Sequence, residues 1–314
     1  MPYTFSNNFF LHLLDRAMRV HAKVQICSLP PPTEVEKELV RRLKDDFSRM
    51  EWDQTGKYPS EQVWYDYLRK MRDFVKNEDP RMFLRWRPIR ETMFFDYVPH
   101  VAHELKLLRG NPEWSTRYAP AIQESGAGCP RRYPLFPQSS GNMIHGAFHV
   151  SNFERTTGTR VSDYDYIVEF GGGYGCMRRV MAGLGFSGRY IIYDFPCFIA
   201  LQRFYTAMSG GGETEGVTSP AELRQALASK QGAKGLFVAA WSISETPVDF
   251  RAQYLPMVDQ LSAYLVVYAD RFQEVDNTKF FREWSQSNRT AIRWTHQPLA
   301  YLRSTYLFGG PGDY

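Results

Sequence analysis

Two spacings of apolar residues divide this chain. Over roughly the first 140 residues they recur at intervals of three and four; beyond residue 160 they gather into short runs separated by amphipathic stretches. The first pattern is that of helix faces, the second that of buried strands alternating with helices. Strands are expected at 166–170, 190–194, 236–240, 264–269, 291–294 and 301–308, with a short polar one within 213–219. Helices are expected between them at 176–184, 197–208, 220–230, 248–261 and 278–287. Ser219-Pro220-Ala221-Glu222 is a strong helix start, with a serine cap, proline in the first turn and glutamate at the third position. Such alternation means a mostly parallel sheet covered by helices on both faces.

Upstream, the pattern predicts helices and no convincing strand. An amphipathic helix begins the chain in "FFLHLLDRAMRV". Thr33-Glu34-Val35-Glu36 reads as a capping box opening a helix after the break at Pro30-Pro31-Pro32. Residues 60–77 have helical spacing, 89–110 form two helices or one broken at Pro99, and 141–158 form one more helix. Residues 111–141, rich in Pro, Gly and Ser, read as a long irregular connection of the kind that serves as a lid or substrate loop.

Composition narrows the class. The 314 residues are 43% hydrophobic and 23% charged, an ordinary globular balance. A net charge of +4 is too small to argue for nucleic acid. No apolar run approaches the roughly 20 residues of a membrane span, and no signal-peptide order is present at the N-terminus, so a cytoplasmic protein is expected. Cys27, Cys129, Cys176 and Cys197 are scattered, which reads as four reduced thiols and no structural zinc site.

The chemistry concentrates at "EFGGGYG", where Glu169, Gly171, Gly173, Tyr174 and Gly175 follow the first predicted strand. In a doubly wound sheet this turn lies where ligands bind. A dinucleotide site needs G-x-G-x-x-G, and neither register fits: Cys176 or Tyr174 stands where a glycine should be. What fits is an acidic residue followed by G-x-G-x-G. A second acidic residue, Asp194, ends the next strand and Phe195 follows it.

That pattern resembles the first motif of class I methyltransferases that use S-adenosylmethionine. A carboxylate beside the turn suits a cofactor carrying an ammonium and a sulfonium. The resemblance implies that Asp194 accepts hydrogen bonds from ribose hydroxyls and that Phe195 lies against an adenine. More narrowly, "VEFGGGYGCMRRVMAGLGFSGRYIIYDFPCFIALQRFY", "LFVAAWSISETP", "YLFGG" and the preceding "IHGAFHVSNFERTTG" resemble the sugar O-methyltransferase family of bacterial glycan and natural-product clusters, over about residues 141–310. The resemblance implies an α/β fold: a Rossmann-like seven-stranded class I methyltransferase sheet with an N-terminal mainly helical region. It implies a methyltransferase domain at 141–314 and a substrate, lid or oligomerisation region at 1–140. The implied cofactor is S-adenosylmethionine, and the implied partner a small-molecule substrate: a sugar, nucleotide sugar or glycoside. No nucleic acid, membrane or metal is expected, and a homo-oligomer is admitted. The rival readings are a small-molecule N-methyltransferase with the same cofactor site and a non-catalytic scaffold.

Methyl transfer to a hydroxyl calls for a general base. His145 and His149 lie four apart, on one face of the helix before the glycine strand, and are the first candidates. Glu245, after the fourth strand, is the third, with Trp241 and Ser242 as cofactor-side residues of the same loop. Asp270 and His296 follow later strands and read as structural. "RMFLRWRPIR" (81–90) reads as a helix with a buried aromatic side and a solvated basic face; the alternatives are a nucleic-acid patch with Phe83 and Trp86 as stacking residues and a holder of an anionic substrate.

Overall fold

The computed structural model describes residues 10, 12–17, 29–56, 58–228, 232–287, 292–299 and 301–312. Helices α1 (Glu34–Arg49) and α2 (Pro59–Asn77) are followed by a 3-10 turn (Pro80–Arg85), α3 (Arg87–Met93) and α4 (Val98–Arg109). The capping box is present: the Thr33 amide donates to Glu36 Oε2 at 2.7 Å, and the Glu36 amide to Thr33 Oγ1 at 3.2 Å. The break in the 89–110 region falls at residues 94–97, and Pro99 sits in the first turn of α4, where its missing N–H costs nothing.

Residues 111–141 are more ordered than expected. They contain helical turns at Trp114–Ala121 and a small hairpin, β1 (Arg132–Tyr133) and β2 (Phe136–Ser140), so the expectation of no strand upstream fails here. Two- and five-residue strands are too short for periodicity to reveal. Helix α5 (Gly141–Thr157) follows, capped by Ser140 Oγ at its start and by Gly158 at φ 72° at its end.

The alternating half comprises β3 (Tyr166–Phe170), α6 (Cys176–Gly183), β4 (Arg189–Tyr193), α7 (Pro196–Ser209), β5 (Glu215–Val217), α8 (Pro220–Ala228), β6 (Gly235–Ala240), α9 (Val248–Val258) and β7 (Ala263–Ala269). A two-residue pair, β8 (Arg271–Phe272) and β9 (Val275–Asp276), then leads into α10 (Asn277–Gln286), β10 (Ile292–Leu299) and β11 (Ser304–Pro311). The Ser219 cap is made, with the Glu222 amide donating to Ser219 Oγ at 3.2 Å.

The sheet runs β10-β11-β7-β6-β3-β4-β5. Neighbours from β7 to β5 are parallel, while β11 is inserted antiparallel between β7 and β10. This is a Rossmann-like seven-stranded sheet. The chain reverses its strand order at β3, which opens a crevice beyond the carboxyl ends of β3 and β6. All five residues of β3 are buried, as a central parallel strand covered on both faces requires.

The N-terminal helices complete the packing. Leu43 and Phe47 of α1 and Leu68, Met71 and Val75 of α2 share one apolar cluster with Phe198, Leu201 and Phe204 of α7. In the 81–90 stretch Phe83 and Trp86 are buried as expected, so neither ring is available to stack on a base. The expected solvated basic face is only partial. Arg81 is buried against Asp79, and Arg85 donates to the Cys129 carbonyl at 2.7 Å.

Cys176 and Cys197 are free, whereas Cys129 is disulfide-bonded, which corrects the expectation of four reduced thiols. Such bonding follows tertiary contact, here a loop whose Gly128 carbonyl accepts from the Leu84 amide at 3.1 Å, and sequence spacing does not display it. Cys27 lies outside the described residues. Among those residues no helix is long and apolar enough to cross a membrane.

Candidate active site

Strand β3 ends at Phe170 and the chain turns through three left-handed glycines, Gly171 (φ 68°), Gly173 (φ 57°) and Gly175 (φ 94°), before entering α6. Only glycine adopts such angles without strain. Three amides of the turn are already committed. Gly171 N–H donates to the Tyr193 carbonyl at 2.9 Å, Gly175 N–H to the Gly172 carbonyl at 2.9 Å, and Gly173 N–H to Asp194 Oδ2 at 3.2 Å. A turn that holds phosphate presents free amides. This one presents a carboxylate.

Asp194 follows β4 and is held by three donors: Gly173 N–H, Phe195 N–H on Oδ1 at 2.8 Å, and Gln202 Nε2 on Oδ2 at 2.8 Å. Burial pushes its carboxyl up to about 7, against the pull of those hydrogen bonds. Gln202 also donates to the Gly173 carbonyl at 3.0 Å, and its Oε1 is buried without a partner. Sequence reasoning missed Gln202; a lone amide in the apolar stretch "CFIALQRFY" was the available signal.

The other turn residues face inward. Glu169 is 4% exposed, accepts from the Tyr190 hydroxyl at 2.8 Å and is pushed up to about 8 by burial. It braces the turn from beneath. Tyr174 is buried too, its hydroxyl accepting from Asn142 Nδ2 at 3.0 Å and its ring stacked on Phe94. Phe195 remains half-buried at the rim, edge-on to Tyr65 of α2.

After β6, Trp241 takes φ 62°, uncommon for a bulky side chain and a conformation found where function constrains the backbone. Its indole Nε1 donates to Ser304 Oγ at 3.0 Å. The next residue, Ser242, donates through Oγ to the Phe170 carbonyl, so this dipeptide ties the end of β6 to the glycine turn. Glu245 closes the 3-10 turn Ser242–Glu245, half-buried, with its carboxyl pushed up to about 7 by burial. No hydrogen bond joins it to His145 or His149.

Those two histidines meet one another and Trp241. The His145 and His149 ring centroids are 4.1 Å apart, and the His145 ring is stacked on Phe95 at 3.7 Å, with Trp241 beside it at 5.3 Å. His145 Nδ1 is bonded to Glu104 of α4 at 2.8 Å and His149 Nδ1 to the Tyr306 hydroxyl at 2.6 Å. In both rings Nε2 is buried and unpartnered. Burial holds both imidazoles neutral, His145 down at about 3, and pushes Glu104 up to about 8. Burial thus works against an ion pair in the Glu104–His145 contact, although its distance of 2.8 Å is that of one. Glu104 and Tyr306 left no sequence signal, since their partners are 41 and 157 residues away.

Asp270 accepts from Thr305 Oγ1 at 2.8 Å, and His296 is bonded to Ser285 Oγ at 3.1 Å, both structural as expected. Among the described residues no group of three or more His, Cys, Asp or Glu is arranged to hold a metal ion.

No family model matches the chain, and no curated protein matches it. Similar solved structures include the SAH-bound Podospora anserina methyltransferase PaMTH1, at 12% identity and TM-score 0.37, covering 92% of this chain and all (100%) of that one. A precorrin-6y C5,15-methyltransferase from Geobacter metallireducens is 13% identical at TM-score 0.36, covering 53% and 88%. An rRNA methylase from Streptococcus thermophilus is 10% identical at TM-score 0.38, covering 48% and 89%.

Proposed function

We propose that this chain is an S-adenosylmethionine-dependent O-methyltransferase acting on a hydroxyl of a sugar or glycosylated small molecule. The observation that carries the cofactor assignment is the commitment of the turn's amides. With Gly171, Gly173 and Gly175 N–H already donated, the site offers acceptors: the Asp194 carboxylate and the unpartnered Gln202 Oε1. A ligand bearing hydroxyl and ammonium donors and a net positive charge satisfies both, whereas a diphosphate would meet a carboxylate. The residues present fit S-adenosylmethionine on that chemistry. When bound, it supplies a methyl group on a cationic sulfur.

The chain's own residues do the rest. Asp194 and Gln202 hold the cofactor's donors, Phe195 lies at the rim for its base, and Glu169 keeps the turn in shape. Trp241 and Ser242 connect that turn to the histidine cluster. His145 is the general base: a neutral imidazole stacked on Phe95, which takes the proton of an acceptor hydroxyl at Nε2 when its own proton is on Nδ1. His149, whose Nδ1 is held by Tyr306, lines the same cluster as the second candidate. Glu245 is assigned to acceptor hydroxyls, since it is half-buried and not bonded to either histidine. The choice of a sugar acceptor rests on the resemblance at residues 141–310.

Incubating the chain with S-adenosylmethionine and a panel of sugars, glycosides and nucleotide sugars, with methylated product read by mass spectrometry, tests this reading. Transfer to a hydroxyl that His145→Ala slows supports it. Transfer to an amine alone would replace it with the N-methyltransferase.

A further inference from the structure

Glu104 is wholly buried on α4, with both carboxylate oxygens within 2.9 Å of His145 Nδ1. Tyr301, in the connection before β11, donates its hydroxyl to Glu104 Oε1 at 3.1 Å. A buried carboxyl with no surface role, aimed at one nitrogen of a ring whose other nitrogen is buried without a partner, is the geometry that fixes a histidine tautomer. We propose that Glu104 is the positioning residue for His145: its carboxylate holds the proton on Nδ1 and leaves the Nε2 lone pair as the proton acceptor. The proposal rests on the reading of His145 as general base.

The step balances as follows. The proton of the acceptor hydroxyl moves to Nε2, its O–H electron pair stays with oxygen, and the imidazolium that forms is neutralised by the Glu104 carboxylate. With Glu104 protonated, the carboxyl donates to Nδ1 instead, the ring proton resides on Nε2, and the base is blocked. Burial places that change near pH 8, while the Tyr301 hydrogen bond and the nearby His100 and His103 favour the ionised carboxylate. The groups facing the pair are His100 and His103 from α4, His149 from α5, Tyr301, Tyr306 from β11 and Tyr133 from β1.

The test is the tautomer of His145, followed by long-range nitrogen–proton NMR on the full chain from pH 6 to 9.5, with no cofactor required. Wild type should pass from the Nε2–H to the Nδ1–H form near pH 8. Glu104→Gln should abolish the passage. Tyr301→Phe, which keeps the carboxyl but removes its hydrogen bond, should move the passage to higher pH. Nε2–H at every pH in wild type, or the same tautomer behaviour in Glu104→Gln, overturns the proposal; Nδ1–H at every pH that Glu104→Gln loses means a carboxylate ionised throughout and keeps it. Binding of S-adenosylhomocysteine by each variant shows whether it is folded. A wild-type chain that shows the passage yet binds neither S-adenosylhomocysteine nor S-adenosylmethionine keeps the tautomer assignment and refutes the functional reading instead.

Discussion

The indole of Trp241 lies nearly parallel to the imidazole of His145, with ring centroids 5.3 Å apart and planes 17° from parallel. The next residue, Ser242, is bonded to the carbonyl that leads into the glycine turn. Cofactor turn and histidine cluster are thus joined through two consecutive residues. Trp241→Phe keeps an aromatic ring beside His145 and loses the Ser304 hydrogen bond, a cost of about 1 kcal/mol. Trp241→Ala removes the ring. Turnover should fall much further in the alanine variant, with S-adenosylhomocysteine affinity similar in both; equal turnover would remove the indole from the mechanism.

Asp194 should make cofactor affinity depend on pH. Its carboxyl, raised to about 7, is partly protonated at neutral pH, and a donor-rich cationic ligand favours the ionised form. Affinity measured by calorimetry should rise between pH 6 and 8, by at most about tenfold. Asp194→Asn should bind more weakly and without that rise.

Glu169 should make stability depend on pH. Its folded-state value, about 8, lies above the roughly 4.3 of an unfolded glutamate, so the folded chain binds the extra proton between those limits. Its contribution is present below about pH 4 and is lost as pH rises through about 8. Asp194 and Glu104 act in the same sense. The histidines, with folded values below the ordinary 6.5, oppose this only below about pH 6.5. Thermal midpoints should therefore fall from pH 6.5 to 8, and fall less in Glu169→Gln. An identical slope in the variant would contradict the buried proton.

The glycines of the turn should not be equivalent. An alanine Cβ at Gly171 would collide with Ser242, whereas at Gly173 it would meet Met93 Sδ at 3.5 Å, an ordinary contact. Both positions impose the left-handed penalty of about 1–2 kcal/mol. Gly171→Ala should accordingly destabilise the chain more than Gly173→Ala in denaturant unfolding; the reverse order would mean that Ser242 yields.

The sheet was largely legible because buried parallel strands such as "YIVEF" and "YLVVYA" are apolar end to end and bounded by turns. Even the polar strand at Glu215–Val217 could be placed by the alternation around it. The hairpin at 132–140 could not, because short paired segments carry no period. At the site, Asp194 and the glycines announced themselves by position in the motif, and His145 and His149 by their shared helix face. What they bond to was hidden. Glu104 is one carboxylate in "HVAHELKLL", and only the packing of α4 on α5 brings it to His145. Glu169 fits the motif, and its hydrogen bond from the Tyr190 hydroxyl is a contact that motif register does not reveal.

The most direct measurement is calorimetric titration of S-adenosylhomocysteine into the wild-type chain and Asp194→Ala at pH 8, where Asp194 is ionised. One-to-one binding in wild type, weakened at least ~10-fold (~1.4 kcal/mol) in the variant, is the predicted result. Equal affinity in the two chains, or no binding by wild type at millimolar ligand, would contradict the assignment of the glycine turn to a sulfonium cofactor.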